Sequence, residues 1–486
     1  MNALHHSLIA ALLIPLSTAS AAFADGQTPW RPLFDGRSLT GWKVSEHPDS
    51  IRVEDGLIVC DGPRAHAFYT GEVEGADFRN FELRAEVRTE PGANSGIFFH
   101  TAWQESGFPE QGYEAQINNS YVAAGKYVEY KKTGSLYCVR NQHKSIVGDG
   151  EWFTMLVTVT GKRIQIRVND TLVVDYTEPE QPVREKKRAG RVLSSGTFAL
   201  QCHDPKSKVA FRKIEVRPLA DDCAVPPRPM SEIDEVYRQN MLTHLNNLPL
   251  IDLHVHLKGG LTNEQALEKS RATGVFYGIA VNCGLDFPVK DDAAALEFLH
   301  SMRGQPCFIG MQAEGREWVD LFSPAVRKQF DYVFTDAMTF TDDHGRRIHL
   351  WKPEEFEVTD KQAFMEMIVD RIVTILENEP IDVYANATYL PKAIADDYDA
   401  LWTPARMQRV IDALVKNGIA LEIGLRSQLP SVEFIKRAKA AGVKFTFGSN
   451  NGGAELGRAE RALEIIEQCE LKHTDLWVPG FAKRKE

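Results

Sequence analysis

Phe81-Glu82-Leu83-Arg84-Ala85-Glu86-Val87 alternates apolar and polar residues without a break, except for the small Ala85 in an apolar slot. In an extended chain successive side chains point to opposite faces, so this stretch carries one apolar face and one wet face. A helix would instead repeat its apolar residues every three or four positions. Ile164-Gln165-Ile166-Arg167-Val168 repeats the two-residue period, and Asn169-Asp170 marks a turn before Leu172-Val173-Val174. From Trp30 to Leu219 such runs follow one another with no helical pattern between them. The expected fold is an all-β antiparallel sandwich or jelly roll.

Working outward, the pattern breaks at Asp221 to Pro229, where Pro226, Pro227 and Pro229 mark a linker. Beyond it, short apolar strands alternate with amphipathic helices. The predicted strands are Leu250 to His254, Tyr277 to Val281, Phe308 to Met311, Tyr332 to Phe334, Val383-Tyr384, Ala420 to Ile423 and Lys444 to Phe447. The predicted helices include Asn263 to Thr273, Lys361 to Glu377, Pro404 to Asn417 and Pro430 to Ala441. Strand–helix repetition implies parallel strands, and this many units imply a (β/α) barrel more than an open sheet. The chain therefore reads as a leader at 1–24, a β-sandwich at 25–220, a linker with a lead-in helix at 221–247 and a barrel at 248–486.

The chain has 486 residues, 43% apolar and 25% charged, with a formal net charge of -11. Length and composition suit a soluble protein of two or three domains. The acidic balance argues against a broad nucleic-acid footprint, which needs a basic face. The basic runs Arg184 to Arg188 and Arg346-Arg347 read as solvated surface. Leu8 to Leu16 is an apolar stretch followed by Ala22-Phe23-Ala24, the pattern of a secretory leader cleaved before Asp25, although His5 and His6 stand where Lys or Arg is usual. The mature protein is expected in the periplasm or outside the cell. No later stretch reaches the about 18 apolar residues a membrane span needs. The seven cysteines have no zinc-ribbon spacing and read as structural; their spacing leaves pairing open, as composition leaves the oligomeric state.

Three strands carry polar residues on one face that fit acid–base or sugar-binding chemistry. Tyr113-Glu114-Ala115-Gln116-Ile117 sets Glu114 and Gln116 opposite its apolar residues. Phe198 to His203 sets Gln201 and His203 opposite Phe198, Leu200 and Cys202. Ile97-Phe98-Phe99-His100 pairs His100 with Phe98 on one face. The apolar sets are expected in the inter-sheet core, the polar sets on an outer or concave face.

Leu33-Phe34-Asp35-Gly36, Leu39-Thr40-Gly41-Trp42, Asn94-Ser95-Gly96-Ile97-Phe98-Phe99, Gly112 to Ile117, Thr133-Gly134-Ser135-Leu136-Tyr137, Leu200-Gln201-Cys202-His203 and Val209 to Ile214 occur in this order. As an ordered set over about 30–218 they resemble the 3-keto-disaccharide hydrolase family. The resemblance implies a concanavalin-like jelly roll acting on glycosides oxidised at C3. His100 stands where it leads one to expect Arg, and Asp204 where it leads one to expect Gly. A ketone at C3 acidifies the hydrogen on C2, so a base removes it and the C1 substituent leaves, after which water adds. Such a site needs a base, an acid and donors for the enolate oxygen. His203 and Glu114 are the candidate catalytic residues, and His100, Gln116, Tyr137 and Gln201 the candidate sugar contacts.

In the second half, Asp252-Leu253-His254-Val255-His256 ends the first predicted barrel strand, at the mouth where (β/α) barrels keep their sites. An H-x-H pair offers two imidazoles to one metal. With Gly310 to Glu314, Phe330 to Phe334, Ala420 to Ile423 and Ala440 to Ser449, this segment resembles the PHP (polymerase and histidinol phosphatase) superfamily. That resemblance implies a divalent metal, zinc or manganese, on His254, His256 and Glu314, with Asp336 contributing. The motif set is incomplete: Asn386 stands where a His is expected, Thr335-Asp336 where a strand often ends in His, and Asn450-Asn451 where an Asp-x-His signature is expected.

Three functional readings follow, the third being that neither domain is catalytic and the chain is an exported sugar-binding protein. In the first the sandwich cleaves a small-molecule carbohydrate, a 3-keto-glycoside, and carries an appended barrel with a degenerate metal site. In the second the sandwich is a carbohydrate-binding module and the barrel a metal-dependent phosphoesterase.

Overall fold

The computed structural model describes residues 28–230, 235–342, 344–456 and 459–481. The leader read at 1–24 lies outside the described residues. Phe81–Thr89 and Phe153–Thr160 alternate buried and half-buried residues along their whole length, as their two-residue period requires. They sit at the centre of the larger sandwich sheet, eight-stranded among the described residues. Its order is Thr171–Thr177, Arg163–Val168, Phe153–Thr160, Phe81–Thr89, Val209–Pro218, Leu57–Cys60, Ile51–Glu54, with Arg31–Pro32 also on Val209–Pro218. Its wet face is laced by cross-strand ion pairs, among them Arg84–Glu215 at 2.7 Å and Arg212–Glu86 at 2.5 Å.

The smaller sheet runs Trp42–Val44, Ala65–Tyr69, Thr197–Cys202, Ser95–Thr101, Tyr113–Ile117, all antiparallel. Its inward residues, among them Ile97, Phe99, Tyr113, Ile117, Phe198 and Leu200, meet Leu83, Val87, Met155 and Val157 of the larger sheet in one apolar core. The outward face carries the polar set but is not open. In Ser95–Thr101, Tyr113–Ile117 and Thr197–Cys202 every residue is buried, because loops cover the sheet.

Seven parallel strands among the described residues close the barrel: Ile251–Val255, Phe276–Cys283, Phe308–Ala313, Tyr332–Thr335, Val383–Tyr384, Ala420–Gly424 and Phe445–Gly448. Closure is by Asp252 against Phe447. The intervening helices begin on side-chain caps: Thr262 for Asn263–Thr273, Thr403 for Pro404–Asn417 and Ser431 for Val432–Ala440. Inside, Tyr332 needs room, and Gly310 provides it, since a Cβ there would lie 2.4 Å from the Tyr332 ring.

The two halves touch along a polar and aromatic seam. Tyr130 of the sandwich joins Ile251, Phe276, Phe308 and Trp477 in the core at the N-terminal ends of the barrel strands. Arg140 donates to the carbonyls of Arg271 and Ala272 at 3.2 Å each, where a helix ends and its carbonyls lack partners. Lys144 pairs with Asp331 at 2.6 Å. The segment read as a linker lies along the sandwich edge, with Lys162 N donating to Val225 O at 2.8 Å and Arg228 N to Glu178 O at 2.9 Å. The seven cysteines are unpaired, and Cys223 is the exposed one. No described helix is long and apolar enough to cross a membrane.

Candidate functional site

Strand periodicity puts Glu114 and Gln116 on the outward face of Tyr113–Ile117, and strand order brings Gln201 of Thr197–Cys202 within 3.5 Å of the Glu114 carboxylate. These residues floor a cleft of about 270 Å³, walled by Asn94, Phe108, Glu129, Tyr137, Arg191 and His203. Of the six sandwich residues singled out from sequence, five therefore meet in one cleft: Glu114, Gln116, Tyr137, Gln201 and His203.

Gly96 makes the floor possible. It lies across the strand pair from Gln116, and a Cβ there would come 2.6 Å from Glu114 Oε1. Burial pushes the Glu114 carboxyl up to about 7, with the neighbouring Glu129 adding to the rise and Arg191 at 3.5 Å opposing it. At neutral pH it both holds and releases a proton. His203 donates from Nδ1 to Asp204 at 2.7 Å, which leaves Nε2 as the ring's free lone pair. Asp204 is held in turn by Ser207 at 3.0 Å and Lys206 N at 2.8 Å.

Three buried atoms on cleft residues have no protein partner: Gln116 Oε1, Gln201 Oε1 and Arg191 Nη1. Buried polar groups ordinarily find partners. Two acceptors and one cationic donor around one cleft are complementary to a polyhydroxylated ligand with a carbonyl.

His100 is a correction. It does not line the cleft. Its φ of 54° rotates it out of the strand alternation, so Nε2 donates to Arg79 O at 2.9 Å and the ring packs on Phe81 and Phe99. The basic run 184–188 is a second correction. Arg184 is 5% exposed, packs over Tyr113 and donates to Arg191 O at 2.6 Å, while Lys187 and Arg188 line the cleft. Arg347 is likewise tied down, by Asp286 and Glu317. Arg191, Asn94 and Glu129 are site residues the sequence reading missed. Arg191 and Glu129 lie outside the long strands, where no periodicity reports direction; Asn94 stood only inside a quoted motif.

The barrel mouth gathers His254, His256, Glu314 and Asp336 as buried neighbours but already bonds most of their donor atoms. Both ring nitrogens of His254 have hydrogen-bond partners, Glu422 at 2.6 Å from Nδ1 and Gln312 Oε1 at 3.1 Å from Nε2. His256 spends Nδ1 on Ala280 O at 3.0 Å. Glu314 accepts from Asn282 and Thr339, and Asp336 from Asn386 and Met338 N. Burial, with Asp336 beside it, pushes Glu314 up to about 8. Among the described residues no group of three or more His, Cys, Asp or Glu is arranged to hold a metal ion. Of the donors expected for zinc or manganese, His256 Nε2 alone is buried without a hydrogen-bond partner, while His254, Glu314 and Asp336 are bonded to their neighbours. A larger groove, about 810 Å³, runs between Leu242 and Leu463 but contains none of these groups.

A β-sandwich with an acid–base cleft, joined to a parallel barrel, defines the class. Residues 29–217, the sandwich, match the family model described as 3-keto-alpha-glucoside-1,2-lyase-like domain. A curated relative, the 3-keto-disaccharide hydrolase of Bacteroides thetaiotaomicron, is 30% identical over 104 residues, 20% of this chain and 34% of its own. The chain thus spans about a third of the length of that relative. A candidate glycosyl hydrolase from Parabacteroides distasonis is 22% identical over 39% of this chain and 94% of its own, with a TM-score of 0.35. A histidinol phosphate phosphatase from Lactococcus lactis, solved with zinc, L-histidinol and phosphate, is 14% identical over 46% of this chain and 94% of its own, with a TM-score of 0.33.

Proposed function

We propose that the sandwich cleaves 3-keto-glycosides by elimination and hydration. His203, held by Asp204, takes the proton from C2. The C2 electron pair becomes the enolate, whose oxygen meets the unpartnered Nη1 of Arg191. The pair then forms the C1–C2 double bond as the C1–O bond breaks, and Glu114 protonates the leaving oxygen. Water adds across the double bond, its oxygen to C1 and a proton to C2, and the net change is hydrolysis. Gln116, Gln201 and Tyr137 hold sugar hydroxyls. The carrying observation is the set of partnerless buried atoms, Gln116 Oε1, Gln201 Oε1 and Arg191 Nη1, around a carboxyl whose affinity for protons is near neutrality.

The test is release of the aglycone from 3-keto-glucosides by the full chain, against His203→Ala and Arg191→Gln. Loss of about 10²–10⁴-fold in turnover is expected on removing an acid–base group or an oxyanion donor. Wild-type turnover in both variants rejects the reading. No observation favours the alternative of a metal-dependent phosphoesterase in the barrel. We further propose export, on the leader-like sequence before Asp25 alone; a mature chain beginning at Asp25 in the periplasmic fraction is the expected result, and an uncleaved cytoplasmic chain rejects it.

A further inference from the structure

One wall of the cleft is held from outside the sandwich. Residues 127–131 alternate in direction. Glu129 lines the cleft, and Val128 and Tyr130 pack toward the barrel. Glu129 is 2% exposed and accepts from Tyr127 at 2.8 Å, Tyr137 at 3.3 Å and its own loop's Lys131 N at 3.0 Å. Lys131, 1% exposed, pairs with it at 2.7 Å. A buried ion pair needs its remaining hydrogen-bonding capacity satisfied. Here that partner is Asn247, at the end of the lead-in to the barrel. Its Oδ1 accepts from Lys131 Nζ at 2.5 Å and its Nδ2 donates to Val128 O at 2.9 Å. One side chain therefore grips the loop at both ends of Glu129. Tyr130 between them is anchored in the barrel core and donates to His473 O at 3.2 Å.

We propose that Asn247 is a positioning residue for the sandwich's cleft: through Lys131 it fixes Glu129 and Tyr137, so the site is complete only with the barrel docked. The inference rests on the function proposed above for that cleft, and it gives the fused barrel a role that needs no chemistry of its own. Glu129 faces Glu114 across the cleft and raises its proton affinity, so slackening the loop acts on the acid as well as on sugar binding.

The experiment compares the full chain with Asn247→Gly and Asn247→Asp. Asn247 has a left-handed φ of 58°, which glycine tolerates, so Asn247→Gly removes the clamp without straining the backbone. Asn247→Asp keeps the acceptor for Lys131 and loses the donor to Val128 O. Two readouts are taken: amide hydrogen exchange over 121–137, and kcat, KM and the pH profile on a 3-keto-glucoside. For Asn247→Gly faster exchange is expected, with kcat/KM down about fivefold, the worth of about one kcal/mol, and the alkaline limb assigned to Glu114 moved to lower pH; Asn247→Asp is expected to restore part of each. Unchanged exchange together with an unchanged pH profile in Asn247→Gly overturns the proposal. Faster exchange in a protein whose wild type leaves 3-keto-glucosides untouched supports the clamp and rejects the sugar chemistry. If Asn247→Gly does not fold, Asn247→Asp alone decides, by the same two criteria.

Discussion

At the scale of the residue, the site turns on how much room and how much water one carboxyl has. Glu114 is 5% exposed on the cleft floor, and burial holds its proton until about pH 7. Acting as the acid, it is active in the protonated form. The limb that Glu114 controls is therefore expected to fall as pH rises through about 7. Glu114→Gln is expected to remove that limb along with about 10²–10⁴-fold of the rate; a pH–rate profile unchanged by the substitution contradicts the role. Gly96 tests the room. A Cβ there would meet Glu114 Oε1 at 2.6 Å and Cγ at 2.9 Å, and the neighbour is a side chain that can swing aside. Gly96→Ala should therefore fold, move the carboxylate and lose about tenfold or more in activity, since misplacement by about an ångström costs up to about 10²-fold. Activity equal to wild type rejects the close packing.

At the scale of the element, strands were legible and loops were not. The two-residue period placed Glu114, Gln116, Gln201 and His203 on one face because a β-strand converts sequence parity directly into direction. The seven barrel strands were legible for a related reason: each is a short apolar run between amphipathic helices. Parity failed at His100, where a left-handed φ turns the chain. It offered nothing in the loop at 178–196, whose basic run read as surface while Arg184 packs on Tyr113 and holds the Arg191 carbonyl. Metal ligation was unreadable too, because residue type does not say that Glu422 and Gln312 already occupy His254. Arg184 is the element's fastening. Arg184→Ala removes the cation packed on Tyr113 and the donor to Arg191 O, while Glu178 keeps Lys162 at 2.7 Å; leaving buried acceptors unsatisfied costs about 1–3 kcal/mol. A fall of that order in unfolding free energy by denaturant titration is expected, with a raised KM as Arg191 loosens. A loss below about 0.5 kcal/mol, typical of surface sites, contradicts it.

At the scale of the whole molecule, the seam between sandwich and barrel contains two enclosed histidines. His143 donates to Tyr130 O and packs on Phe276, and His244 accepts from Asn141 at 3.1 Å. Burial pushes both down to about 3. Their folded proton affinity lies below that of the unfolded chain. Above the ordinary imidazole value of about 6.5 both states are neutral and pH has no effect through them. Below it the unfolded chain binds protons the folded one refuses, so stability falls with falling pH, by up to about 1.4 kcal/mol per pH unit for each histidine. Denaturation midpoints should therefore drop between pH 6.5 and 5, and the double variant His143→Gln, His244→Gln should flatten the slope. An unaltered slope in that variant places the acid sensitivity elsewhere. Acid is thus expected to loosen the seam from which Tyr130 and Asn247 steady the cleft wall.

The most direct measurement is the fate of a label at C2. A 3-keto-glucoside carrying deuterium at C2 is turned over by the full chain in ordinary water, and the sugar product and the remaining substrate are weighed by mass spectrometry. Elimination hands the C2 deuteron to His203 and then to solvent, so the product is expected without the label while unreacted substrate keeps it. A product that retains its deuterium, or no product at all, contradicts proton abstraction in this cleft.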